Sequence, residues 1–156
     1  MAHRANVAVV LLALVRAAAA EEGAVPHPGA FRAFRHVKTT VVGKASPIFE
    51  RQGGIHHFYA NDRAVEGYRS GVFPDGAILI DDLLTAEESA GVTKAGPRRQ
   101  TSVMVRDAAR YADTGGWGFE VFEKDGREGS LTPARRAACH ACHTKAKALV
   151  FTGLAE

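Results

Sequence analysis

Both cysteines of this chain stand in one short stretch near its carboxy end, "AACHACHTK" (137–145), as Cys139 and Cys142 with His143 directly after. Thiols three residues apart lie about one turn from each other on a helix, and the next residue projects off the same end. C-x-x-C-H at this spacing is the attachment site of c-type haem: the thiols add across the two vinyl groups of the porphyrin, and the histidine gives its imidazole to the iron. A thioredoxin-like dithiol would want a strand-to-helix context near the start of a parallel fold. A zinc site would need two further ligands, and a structural disulfide leaves the histidine unexplained. The haem reading uses all three residues, with Cys139 and Cys142 bonded to one haem c and His143 ligating its iron. A helix turns about 100° per residue, so His140, inside the motif, points away from the iron and reads as a surface or propionate-contacting residue.

These residues need a helix and something for it to lie on. Thr132-Pro133 is a helix start, and "ARRAACHACH" continues it to the motif. An earlier helix is capped by Asn61, carries Ala64, Val65 and Tyr68, and stops at Gly71. The rest reads as strands by its alternation: "HVKTTVVG", with Val37, Thr39 and Val41 on one face, then "IHHFYAN", "GAILIDDLL", "TSVMVRD" and "WGFEVFEKDG". Turns fall at Asp107 and at Asp125-Gly126. The Gly- and charge-rich stretch 85–99 reads as a surface loop. The fold class is therefore α+β: a mainly antiparallel sheet with a few short helices, the last one carrying the C-x-x-C-H motif.

The ends and the charge narrow the setting. Residues 1–20 combine a basic start at Arg4, an apolar run from Ala5 to Val15 and an A-x-A type cleavage site after Ala20. That is a signal peptide for export to the periplasm, although Arg16 behind the apolar run is unusual. The run is too short for a permanent membrane anchor, and no other stretch is apolar enough to span a bilayer. Residues 21–156 then form a single domain. Of the 20 Lys and Arg, Arg4 and Arg16 leave with the signal, so 18 face 17 Asp and Glu. A near-neutral chain without a basic stripe excludes nucleic acid as a partner, and the "RR" pairs at 98–99 and 135–136 read as solvated surface.

A small electron-carrying cytochrome places C-x-x-C-H near its amino end and supplies a distal methionine well downstream. Here 13 residues follow His143, none of them Met, and Met104 sits in a strand-like run that suits a core role. The long helical heptads of a four-helix cytochrome c-prime are missing. The stretches "GGIHHFYAN", "GYRSGVFPDGAILIDDLL", "VMVRDAARYADTGGWGFEVF" and "ACHACHTKAKALVFT", in this order from Phe31 to Phe151, resemble the cytochrome P-460 family, which includes the cytochromes c-prime-beta. The resemblance implies an exported monohaem protein, mostly antiparallel β, often a homodimer, with a five-coordinate iron whose open face is covered by sheet residues.

In the hydroxylamine-oxidising branch of that family, a lysine five residues after the glycine of F-x-D-G bonds to the haem ring. In "FPDGAILID" that position is Asp81, which cannot form the carbon–nitrogen bond; Lys38, Lys44 and Lys94 have no favourable spacing. The resemblance thus implies the c-prime-beta side, whose open site binds NO or CO, with a redox partner protein as a further possible partner. Alternation puts Leu79, Asp81 and Leu83 on one face and Ile78, Ile80 and Asp82 on the other. In the family register Asp81 and Leu79 face the haem, with Asp81 as a distal acid or base; the alternative is that Asp81 or Asp82 pairs with an arginine at the sheet rim. The resemblance offers Phe49 and Phe58 as aromatic caps over the iron. His56 shares a face with Phe58 and Ala60, His57 with Ile55 and Tyr59, so one histidine looks inward, and either could close the iron as a sixth ligand. Trp117, Phe119 and Phe122 read as core or haem wall. Three readings follow: a binder of NO or CO, an oxidoreductase acting on hydroxylamine or peroxide through Asp81, and a six-coordinate electron carrier.

Overall fold

The computed structural model describes residues 23–154; the signal peptide, with its cleavage site, lies outside them. Five antiparallel strands pair in chain order: β1 (Arg35–Val42), β2 (Gly54–Ala60), β3 (Ile78–Ser89), β4 (Val92–Arg106) and β5 (Trp117–Glu123). Three α-helices interrupt them: α1 (Phe49–Gln52), α2 (Asp62–Ser70) and α3 (Pro133–His143). The α+β class and the terminal helix with the cysteines are as the sequence implies. Among the described residues no helix is long and apolar enough to cross a membrane.

The alternation read along β2 to β5 becomes two apolar layers, one on each face of the sheet. On the first face Ala60, Leu79 and Phe119 pack with Ala64 and Val65 of α2 and with Phe73, Trp117 and Leu131. On the second, Ile80, Val103 and Phe122 pack with Val25, Phe31 and Tyr111 from outside the sheet. Trp117, Phe119 and Phe122 are all buried, the first two on the first face and Phe122 on the second.

Both longer helices begin and end where their capping residues stand. The Asn61 side chain accepts from Ala64 N at 3.0 Å and also from Ile78 N at 2.9 Å, so one amide starts α2 and ties it to β3. Gly71 ends α2 in the left-handed region, φ +79°. Thr132 caps α3, with Pro133 in its first turn.

Three sequence expectations are corrected. The stretch 85–99 is a two-stranded ribbon, not a loop: β3 and β4 run on past the sheet and meet at Ala90-Gly91, both with positive φ, a two-residue hairpin turn. Its residues are almost all exposed, so no buried face marked it as strand. Val37 and Thr39 do not share a face, because the β1–β2 register shifts between His36 and Lys38 and leaves Val37 as a bulge. Val37 therefore joins the first-face core, while Thr39 bonds His57 on the second. Three of the four paired arginines are not solvated surface: Arg98 is held by Asp82, Arg99 bonds the Gly53 carbonyl, and Arg136 is buried against Glu120, while Arg135 is exposed as read.

Candidate haem site

The motif helix is short of apolar side chains, and a charge pair fastens it to the sheet. Glu120 on β5, 2 % exposed, accepts from Arg136 Nη2 at 2.7 Å and Nε at 3.3 Å, and also from Leu131 N at 2.8 Å. Arg136 is the one buried residue of α3. This pair fixes α3 along β5, with the half-buried Cys139 against the first-face core.

Cys139 is half-buried and Cys142 exposed, and no disulfide joins them. One turn separates them, and burial pushes the Cys139 thiol above its usual range. His143 follows on the same face, its ring 5.2 Å from Phe119 and 5.0 Å from Phe151. Its Nδ1 lies 2.7 Å from the Leu149 carbonyl oxygen. A carbonyl only accepts, so Nδ1 carries the proton and the Nε2 lone pair is left for a metal. Burial, helped by nearby His140, lowers the His143 pKa against the pull of that carbonyl and favours the neutral, ligating imidazole. Leu149 reaches this position through a tight turn in which it and Ala148 both take positive φ, 62° and 52°. Farther along, the Tyr68 hydroxyl bonds Thr152, and Val150 and Leu154 pack on the first-face core, so the chain end is strapped across α2. His140 itself is half-buried beside Phe119 and Gly115.

The surface presented to these groups is a row of paired positions on the first face: Val121, Ser102, Asp81 and Phe58, one on each of β5, β4, β3 and β2. All four are half-buried, as is Met104 beside them. At about 4.8 Å between neighbouring strands, the row extends from the strand under α3 roughly the width of a porphyrin. Two thiols one turn apart, a neutral imidazole with a free Nε2, and a half-buried strip of mixed apolar and polar side chains beside them are the donor set and wall that a haem requires. Among the described residues, no group of three or more His, Cys, Asp and Glu gathers as a metal site.

The family model described as Cytochrome P460 matches residues 28–152. The chain belongs to the Cytochrome P460 family. It is a haem-binding cytochrome, and haem is its cofactor. No curated protein gives a match to it.

Within this Cytochrome P460 chain the residues singled out on β2 and β3 separate cleanly. Asp81 and His56 share the first face with Phe58 and are bonded to each other: His56 Nδ1 is 2.9 and 3.0 Å from the two Asp81 carboxylate oxygens. The other ring nitrogen, Nε2, lies 2.7 Å from the Gln52 carbonyl oxygen. Both partners are acceptors, so both nitrogens donate and the ring is an imidazolium. Burial opposes that charge, but the Asp81 bond and charge and the Gln52 carbonyl outweigh it and raise the His56 pKa. The ring stacks on Phe58, centroids 5.9 Å apart. With no free lone pair, His56 is not set up as an iron ligand. His57 lies on the second face, bonded through the Thr39 hydroxyl towards His36, away from Cys139 and His143. Phe49 in α1 folds back on Gly53, where a Cβ would lie 2.6 Å from its ring. Leu79, buried, lies beside the strip in the next row of the first face, paired with Met104. The rim-arginine alternative describes Asp82, which is wholly buried on the second face between Arg32 and Arg98.

The sequence reading missed the Glu120–Arg136 anchor, the His56–Asp81 bond and the Leu149 carbonyl. The first two join positions 16 and 25 residues apart, one between β5 and α3 and the other between β2 and β3, and nothing local marks them. The third hangs on a left-handed turn at two residues, Ala148 and Leu149, that give no glycine signal.

Proposed function

We propose that the chain is an exported monohaem c-type cytochrome whose single haem c is bonded to Cys139 and Cys142 and ligated through His143 Nε2. The sixth iron position is open to small diatomic ligands such as NO and CO. A haem iron held by one histidine supplies a vacant coordination position, and the surrounding residues decide what enters it. The observation that carries this reading is the pair of commitments made by the histidines. His143 spends Nδ1 on Leu149 and keeps Nε2, whereas His56 spends both nitrogens. Aromatic caps at Phe58 and Phe49, as the resemblance implies, would admit small apolar gases more readily than water. The setting is the periplasm, after signal removal near Ala20, and the working form is a homodimer meeting a redox partner protein.

One observation favours a second reading. The Asp81 carboxylate, pinned by an imidazolium and 22 % exposed on the haem-facing strip, is placed to accept a hydrogen bond from bound water, hydroxylamine or peroxide and to take or return its proton. That would make the protein an oxidoreductase without the ring-to-lysine bond, since Asp81 stands where that lysine would be.

The optical spectrum of the purified protein separates these readings. A high-spin, five-coordinate resting form that shifts on adding CO or NO is expected; a low-spin, six-coordinate resting form overturns the open site. Turnover of hydroxylamine or peroxide that collapses in Asp81→Ala selects the second reading.

A further inference from the structure

On the second face, away from Cys139, Cys142 and His143, a cavity of about 270 Å³ opens between the segment before β1, Arg98 of β4 and the turn after β5. Its wall carries three guanidinium groups, Arg32, Arg98 and Arg127, with the His27 ring, against one carboxylate, Asp125. Beneath them Asp82, 0 % exposed, holds two of the three. It accepts from Arg32 Nε and Nη2 at 3.2 and 2.9 Å, and from Arg98 Nε and Nη2 at 2.5 and 3.3 Å. Arg98 is further fixed over the Phe31 ring, 5.7 Å from its centroid. Its last nitrogen bonds Asp125, whose side chain is 82 % exposed and readily replaced by another anion.

Three cations against two carboxylates leave the cavity positive. The field is felt by His27, whose pKa is lowered first by burial and then by the charges of Arg127 and Arg98. Among the described residues, Arg127 and Arg32 Nη1 make no hydrogen bond or ion pair, so they are donors for a guest. Guanidinium forks recognise oxygens in pairs and bind oxoanions better than spherical ions. We propose that this cavity binds a small oxoanion of the phosphate class, with Arg127 and the free edge of Arg32 as its grip and Arg98 as a fixed third fork that exchanges Asp125 for the guest. The buried Asp82 keeps two arginines in place before the anion arrives, so little side-chain ordering is left to oppose binding.

The test is a calorimetric titration of the haem-loaded protein with sodium phosphate, at constant ionic strength held with sodium chloride. One saturable site is expected, together with movement of the His27 ring resonances on phosphate addition. Arg127→Ala removes an exposed side chain and should weaken binding roughly tenfold or more, the scale of a charge-assisted hydrogen bond. Lys94→Ala, which removes an exposed cation from the β3–β4 ribbon, should leave binding unchanged. Absence of saturable heat in the wild type, or equal affinity in Arg127→Ala, overturns the site. An equal loss in Lys94→Ala overturns it too, since that result means general charge attraction. None of these outcomes bears on the haem reading.

Discussion

Replacing Asp81 by Asn tests whether the first-face strip carries a charged pair. In the wild type His56 is an imidazolium with a side chain 5 % exposed, its counter-charge 2.9 Å away on Asp81 and its second N–H on the Gln52 carbonyl. A raised folded-state pKa adds stability that is complete below the unfolded value of about 6.5 and is lost as pH rises through the folded value. A hydrogen bond between charged partners of this burial contributes about 1.5–3 kcal/mol. Asparagine keeps the shape and can still pair with a neutral imidazole, donating its amide to Nδ1 while Nε2–H stays on Gln52. The variant should therefore be less stable than wild type by about 1.5–3 kcal/mol at pH 5.5, and the gap should close as pH rises towards 9. Urea unfolding of the haem-loaded proteins at pH 5.5, 7 and 9, with an unchanged m-value, measures it. A gap that is constant with pH, or that widens as pH rises, refutes the imidazolium.

Three further outcomes follow. Glu120→Gln leaves Arg136 charged and buried without its carboxylate, so a loss of about 3–5 kcal/mol is expected in denaturant unfolding, with the region of α3 exchanging its amide hydrogens first. Asn61→Ala removes the cap of α2 and the acceptor for Ile78 N; a loss of about 1–2 kcal/mol in thermal or urea unfolding is expected, with the haem spectrum unchanged. His56→Phe should leave the resting spectrum high-spin, since both His56 ring nitrogens are already hydrogen-bonded; a switch away from a low-spin form on this substitution would show that it had been a ligand.

What could be read from the sequence was what stands close together in it. The Asn61 and Thr132 caps, Gly71 and Pro133 are local signals, and each marks the helix end it implied; the Cys139–Cys142–His143 spacing is equally local and lies on the helix expected for it. The alternation in "GAILIDDLL" correctly put Leu79 and Asp81 on one face and Ile80 and Asp82 on the other, because that stretch of β3 is covered on both sides. Past Leu84 the ribbon is exposed among the described residues, so Glu87, Glu88 and Lys94 gave it the composition of a loop. The bulge at Val37 adds one residue without any compositional mark. Charges misled most: Arg98 and Arg136 read as solvated, yet each is neutralised by a buried carboxylate, Asp82 and Glu120, that only the folded chain brings to it.

The account rests on thioether attachment at Cys139 and Cys142 with His143 on the iron. Its most direct test is mass spectrometry of the protein matured in an export-competent host that assembles c-type cytochromes, recorded in denaturing acid. One haem should remain on the polypeptide, on the peptide spanning 139–142, and no free thiol should be detectable. A polypeptide that sheds its haem in that solvent, or whose two sulfurs are free or joined to each other, contradicts the account.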